Sequence, residues 1–123
     1  MNKKILIVDD DWAILELLKL TFSSAGYDVS TAQNHIEFRQ MALGDRPDII
    51  ILDIMLGEKD GVHVYEELLV EGLDGHIPVV FLSVLARDTQ QMPPRPGRTY
   101  ALIAKPFDPD KLVEEIACLT ACH

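Results

Sequence analysis

Three short runs along the chain are apolar at every position: residues 5–8 (Ile-Leu-Ile-Val), 49–52 (Ile-Ile-Ile-Leu) and 79–82 (Val-Val-Phe-Leu). A half-exposed strand would alternate apolar and polar positions. Continuous runs of four, rich in β-branched side chains and bounded by polar residues or proline, predict strands covered on both faces. Two weaker strands fit residues 27–32 and 101–104. Between the strands the apolar spacing changes to three and four. Ile14, Leu17, Leu18, Phe22 and Ala25 predict one helix, with Gly26 as its stop. Ile36, Phe38, Met41, Ala42 and Leu43 predict a second, ended by Gly44, and Val62, Tyr65, Leu68 and Leu69 a third, ended by Gly72. The last helix runs from Pro109 to about Thr120, with Asp108 as N-cap, Pro109 in the first helical position and Leu112, Ile116 and Leu119 facing inward.

Regular alternation of strand and helix argues an α/β fold, a doubly wound five-stranded parallel sheet with right-handed crossovers. Ligands in such sheets bind at the carboxyl ends of the strands. The alternation breaks after the fourth strand. There the chain reads Met92-Pro93-Pro94-Arg95-Pro96-Gly97, and three prolines in four residues cannot sit inside a helix. The helix at this point is therefore expected to be short or missing, with one or two turns between Leu85 and Gln91 at most. The same stretch is locally basic, with Arg87, Arg95, Arg98 and Lys105 against Asp88.

A length of 123 residues suits one domain, 1–123, able to bury roughly two-thirds of its unfolded surface. The net charge of −9 disfavours binding nucleic acid through bulk charge. No apolar run approaches the roughly 18 residues of a membrane span, and Met1-Asn2-Lys3-Lys4 does not open a signal peptide. The two cysteines, Cys118 and Cys122, fall in the last six residues and frame no disulfide scaffold, so a reducing, cytoplasmic setting is expected. Cys118, Cys122 and His123 lack an evident fourth metal ligand, and His35, His63 and His76 stand apart. Neither a glycine-rich phosphate loop nor a serine-nucleophile elbow is present.

The chemistry gathers where the strands end. The first strand runs into Asp9-Asp10-Asp11, the third into Asp53, the fourth ends at Ser83 and the fifth at Lys105-Pro106. Asp11 reads as the N-cap of the helix beginning at Trp12. In a parallel sheet the other groups share one edge, where Asp10 and Asp53, with Asp9 beside them, would repel one another. A hard divalent cation such as Mg²⁺ and the Lys105 ammonium can each keep such carboxylates ionised. A cation, a carboxylate, a hydroxyl and an ammonium together suit a phosphoryl group, which the carboxylate can attack to give an aspartyl phosphate.

Val8-Asp9-Asp10, Leu52-Asp53 followed by Asp60-Gly61, Ser83, and Lys105-Pro106-Phe107 occur in that order along the whole chain. The set resembles the receiver domain of two-component response regulators. The resemblance implies a flavodoxin-like strand order 2-1-3-4-5. It implies that Asp53 accepts a phosphoryl group from a sensor histidine kinase or a histidine phosphotransfer domain. It further implies that Asp10 binds Mg²⁺ directly, Asp9 helps through water, and Met55 lends its backbone carbonyl. Ser83 corresponds to the switch hydroxyl, Lys105 to its ammonium partner, and the Lys105–Pro106 bond is expected to be cis. The implied function is a phosphorylation-activated switch that only phosphorylates and dephosphorylates itself, without a metabolic reaction.

The chain departs from that pattern in places. Leu56-Gly57 stands where the family usually has Met-Pro, Val84 where it has alanine, and Leu102 where it has Tyr or Phe. Tyr100 would share the face of Leu102 about 7 Å along the strand. With the helix after the fourth strand reduced, a monomer or an atypical dimer is expected. The alternative function is a vestigial receiver acting as a phosphorylation-independent interaction module. An aspartate-nucleophile phosphatase is disfavoured, because Met55 holds the place of its second acid. The helical kinase or phosphotransfer partner is expected to dock over the first helix near Ala13, Ile14 and Leu17. The last helical pattern reaches within a few residues of the end, which fits a receiver alone or one taken from a longer protein.

Overall fold

A computed structural model describes residues 2–83 and 100–121. The elements follow the order β1 (Lys4–Val8), α1 (Trp12–Ser24), β2 (Asp28–Ala32), α2 (His35–Asp45), β3 (Ile49–Asp53), β4 (Met55–Leu56), β5 (Lys59–Asp60), α3 (Gly61–Val70), β6 (Val79–Ser83), β7 (Tyr100–Ala104) and α4 (Pro109–Ala121). Five strands form one sheet in the order β2-β1-β3-β6-β7, with every neighbouring pair parallel. Counting the strands of this sheet alone, the order is 2-1-3-4-5, as expected from the sequence. The expectation of a reduced helix concerns residues 84–99, which lie outside the described residues, as do Val84 and the side chain of Tyr100.

The apolar runs are buried on both faces because alternate residues enter different layers. Leu6, Val8, Ile50, Leu52, Val79 and Phe81 pack under α2 and α3 with Phe38, Ala42, Tyr65 and Leu68. Ile5, Ile7, Ile49, Ile51, Val80 and Leu82 pack under α1 and α4 with Leu15, Leu18, Phe22, Leu112 and Ile116. Fully buried aromatic residues such as Phe22 and Phe38 supply large areas to each layer, and truncating one to alanine costs about 3–5 kcal/mol.

The helix starts follow the polar signals. Asp11 caps α1 by accepting from the Ala13 amide at 2.9 Å, and Asn34 caps α2 by accepting from Glu37 at 2.9 Å. Asp60 accepts from Val62 at 2.9 Å ahead of α3, and Asp108 accepts from Asp110 at 2.9 Å ahead of α4. These bonds satisfy amides that have no partner inside the first helical turn.

Three local expectations are corrected. The inward stripe of α1 is Leu15, Leu18 and Phe22, while Leu17 is exposed. Ile36 is likewise exposed rather than part of the α2 core face. Gly44 does not stop α2, which continues to Asp45 and ends with Arg46 in the left-handed conformation at φ 48°. The short antiparallel hairpin β4–β5 has no counterpart in the sequence reading.

Candidate functional site

The direction of the sheet reverses about β1: its neighbour on one side is β2 and on the other β3. The crevice outside the carboxyl ends of β1 and β3 is therefore the topological switch point. Asp9 and Asp10 follow β1 immediately, and Asp53 is the last residue of β3. Parallel register alone delivers these carboxylates to one rim. One oxygen of each lies within 4.8 Å of the others, the only such acidic, histidine or cysteine cluster among the described residues. Of the cysteines and histidine weighed at the carboxyl terminus, Cys118 is exposed, while Cys122 and His123 lie outside the described residues.

Asp9 is fully buried and Asp53 nearly so, whereas Asp10 is exposed. Burying bare charge is costly unless it is paired and hydrogen-bonded. The Lys105 Nζ supplies the pairing. It donates to Asp9 Oδ2 at 2.8 Å and to Asp53 Oδ2 at 3.2 Å. Backbone amides hold the opposite oxygens: Asp11 donates to Asp9 Oδ1 at 2.9 Å and Met55 to Asp53 Oδ1 at 3.1 Å. The exposed Asp10 is held as well, because the Gly57 amide donates to its Oδ2 at 3.1 Å.

These contacts set the titration of the site. Burial, then the neighbouring Asp9 charge, pushes Asp53 up from 3.8 to about 7, against the pull of the Lys105 ammonium and the Met55 amide. Burial draws Lys105 downward, but its hydrogen bond to Asp9 and the charges of Asp53 and Asp9 outweigh that effect and leave it above 10.5. Lys105 thus keeps its charge at neutral pH, while a proton competes for Asp53. Three carboxylates with no sulfur or nitrogen donor suit a hard divalent cation, which would relieve the same crowding.

Ser83 ends β6 and is buried. Its carbonyl accepts from the Lys105 amide at 2.7 Å, and β6 pairs with β3 so that Leu82 lies opposite Asp53. Ser83 and Lys105 are thereby fixed to adjacent strand ends beside Asp53. The Lys105–Pro106 peptide is cis, as the resemblance implied. Met55, expected to offer its carbonyl, has an exposed side chain and stands two residues beyond Asp53 in β4. Leu102 lies opposite Phe81 in the sheet and packs partly buried with the α2–α3 layer. All the site residues expected from the sequence therefore stand along this one edge. The structure adds two more. The Gly57 amide binds Asp10, and Gly61 passes so close to Asp53 that a Cβ there would overlap the Asp53 carbonyl oxygen.

Known proteins share both the sequence and the architecture. Residues 5–117 match the family model of the response regulator receiver domain. The chain is 33% identical over 116 residues to the DNA-binding dual master transcriptional regulator RpaA of Synechocystis, covering 94% of this chain and 48% of that protein. It is 35% identical over 109 residues to the alkaline phosphatase synthesis transcriptional regulatory protein PhoP of Bacillus subtilis, covering 89% and 45% respectively. The chain thus spans about half the length of these relatives. Among solved structures, chemotaxis response regulator CheY4 of Vibrio cholerae superposes with a TM-score of 0.85 at 26% identity, covering 97% of this chain and 99% of that one. A CheY-like receiver domain protein from Methanospirillum hungatei gives 0.83 at 26% identity, covering 98% and 96%. A family match across nearly the whole chain, joined to the same sheet order, means that this chain belongs to the response regulator receiver domain family.

Proposed function

We propose that residues 1–123 form one receiver domain that takes a phosphoryl group onto Asp53 from a sensor histidine kinase or histidine phosphotransfer domain. The observation that carries this reading is the bridge of Lys105 Nζ to both Asp9 and Asp53 at the sheet edge. It supplies a nucleophile, a cation for the transferring oxygens and an acidic pair for a metal, all within one rim.

In the reaction, an Asp53 carboxylate oxygen attacks phosphorus in line with the phosphohistidine nitrogen. The new O–P bond forms as the N–P bond breaks, and the imidazole leaves with the bonding pair. Lys105 pairs with the charge that Asp53 hands to the phosphoryl oxygens. Asp10, Asp9, Asp53 and the Met55 carbonyl would hold Mg²⁺, which supplies further neutralisation of the phosphoryl oxygens and favours ionised Asp53. Ser83, fixed beside the site, supplies the hydroxyl for a phosphoryl oxygen. Water later cleaves the acyl phosphate, returning Asp53 and inorganic phosphate. The only chemistry is thus self-phosphorylation and self-dephosphorylation.

The setting is cytoplasmic, consistent with the absence, among the described residues, of any helix long and apolar enough to cross a membrane. The domain makes no direct contact with nucleic acid in this reading and acts as a monomer or an atypical dimer. Incubation with acetyl phosphate and Mg²⁺ followed by intact mass tests the proposal. A gain of about 80 Da that disappears in Asp53→Asn is expected. No adduct would favour a vestigial receiver that acts only as an interaction module.

A further inference from the structure

Each of the three clustered carboxylates has one oxygen held by a backbone amide: Asp9 by Asp11, Asp53 by Met55 and Asp10 by Gly57. The remaining oxygens differ. Those of Asp9 and Asp53 meet Lys105, whereas Asp10 Oδ1 has no hydrogen-bond partner among the described residues. Asp10 is also the one exposed member of the cluster, and among the described residues the Gly57 amide is the one hydrogen-bond donor to its carboxylate.

That amide is held on a firm base. Residues 57 and 58 form the two-residue turn between β4 and β5, with Met55 paired to Asp60 and Leu56 to Lys59. Leu56 is buried, and Asp60 caps α3. Gly57 has φ +66°, and Arg46 alone among described non-glycine residues has a positive φ, so the turn follows the type II′ pattern with glycine first. A Cβ at residue 57 would meet nothing within 4 Å, so the backbone conformation selects glycine, rather than crowding. Proline, usual at this place in resembling sequences, would have no N–H to give Asp10.

We propose that Gly57 is a positioning residue for Asp10: its amide holds Oδ2 and so presents Oδ1 to the divalent cation shared with Asp9 and Asp53. This rests on the metal reading above and adds to it a named donor outside the ligand set. Fixing an exposed carboxylate in advance removes part of the ordering cost of capturing the ion. A charge-assisted hydrogen bond of this kind corresponds to an affinity change of about five- to tenfold.

The test is a full-length synthetic protein with glycolic acid at residue 57, which replaces the amide N–H by an ester oxygen and keeps the freedom of glycine. Magnesium affinity, read by calorimetry, should weaken about five- to tenfold, while a single cooperative urea transition of unchanged slope in EDTA shows that the ester protein still folds. In an Asp10→Ala background the same ester should leave the residual magnesium affinity unaltered. Hydrogen exchange adds a metal-free measurement: the Gly57 amide of the unmodified chain should exchange at least about tenfold more slowly than in Asp10→Ala. Equal exchange rates, or unchanged or tighter magnesium binding by the ester protein, would overturn the positioning role alone. No magnesium heat from the unmodified protein would overturn the metal reading together with it.

Discussion

Asp9 and Lys105 stand 96 residues apart in sequence and meet at 2.8 Å, where the fully buried carboxylate accepts from the lysine Nζ. Asp9 gains its second hydrogen bond from the Asp11 amide, so both oxygens of a side chain removed from water are satisfied. The arrangement ties the end of the interior strand β1 to the segment after the edge strand β7, across the ends of β3 and β6. Removing one partner from such a pair leaves an uncompensated buried charge, which is costlier than never having had the pair.

Lys105→Met should accordingly destabilise the metal-free protein at pH 8 by about 3 kcal/mol. Urea unfolding in EDTA measures this, and added Mg²⁺ should recover much of the loss by supplying another positive charge to Asp9 and Asp53. A variant as stable as the parent in EDTA would count against the buried pairing as a stabilising contact.

A second expectation concerns pH. Asp53 titrates at about 7 in the folded protein and near 3.8 when free of its surroundings. Its folded-state value is raised, so between these limits the folded chain binds more protons than the unfolded chain. Stability then falls as pH rises from about 4 to about 7 and levels off above 8. Part of the site is open to screening water, so the fall is on the order of 2 kcal/mol. Asp53→Asn should flatten this slope and be the more stable protein at pH 8 in EDTA. Parallel pH profiles for the two proteins would count against burial of Asp53, with the Asp9 charge beside it, as the source.

The parts of this site that the sequence discloses are those carried by side-chain type at strand ends. Residues 5–8, 49–52 and 79–82 read as buried strands because both of their faces are apolar, and the aspartates directly after them then have one place to go. The orientation of helix α1 is not set by its sequence pattern alone. Its sequence WAILELLKLTFSS offers both a 14-17-18 stripe and a 15-18-22 stripe, and only packing against the sheet selects the second. Gly44 is a residue type that ends helices, yet it lies in the last turn of α2, and the left-handed Arg46 takes the capping conformation. The β4–β5 hairpin has strands of two residues, too short for any alternation to register. The Gly57 bond to Asp10 comes from a backbone amide, a donor that every residue except proline carries and that no residue type announces.

Gly61 gives a steric prediction. Its amide donates to the Ile54 carbonyl, and a Cβ at this position would overlap the carbonyl oxygen of Asp53. Since the obstacle is backbone, no rotamer change can relieve it. Gly61→Ala should cost about 2 kcal/mol or more by urea unfolding and shift the Asp53 backbone. The rate of labelling by acetyl phosphate should fall with it. An alanine variant with the parent's stability and labelling rate would show that the loop relaxes freely.

The partner surface gives the last prediction. Turning Leu15, Leu18 and Phe22 toward the sheet leaves Ala13, Leu17 and Leu20 on the outer side of α1, at the spacing of one helical stripe. Leu17 is 47% exposed and Leu20 68%, and Ile14 lies half-buried beside them. The stripe begins three residues after Asp10, so a helix lying along it reaches the carboxylate rim with its own side chains. An apolar helical partner carrying a phosphohistidine would bury these leucines while presenting the phosphoryl group to Asp53. Neither leucine belongs to the buried core, so Leu17→Glu and Leu20→Glu together should leave the free energy of urea unfolding within about 0.5 kcal/mol of the parent. They should slow phosphotransfer from the cognate kinase or phosphotransfer domain at least about tenfold, the loss of roughly 1.4 kcal/mol of contact. Labelling by acetyl phosphate, which needs no docking, should proceed at the parent rate. Equal slowing with both donors would place the fault in the site itself, and unchanged transfer from the protein donor would move the docking surface off α1.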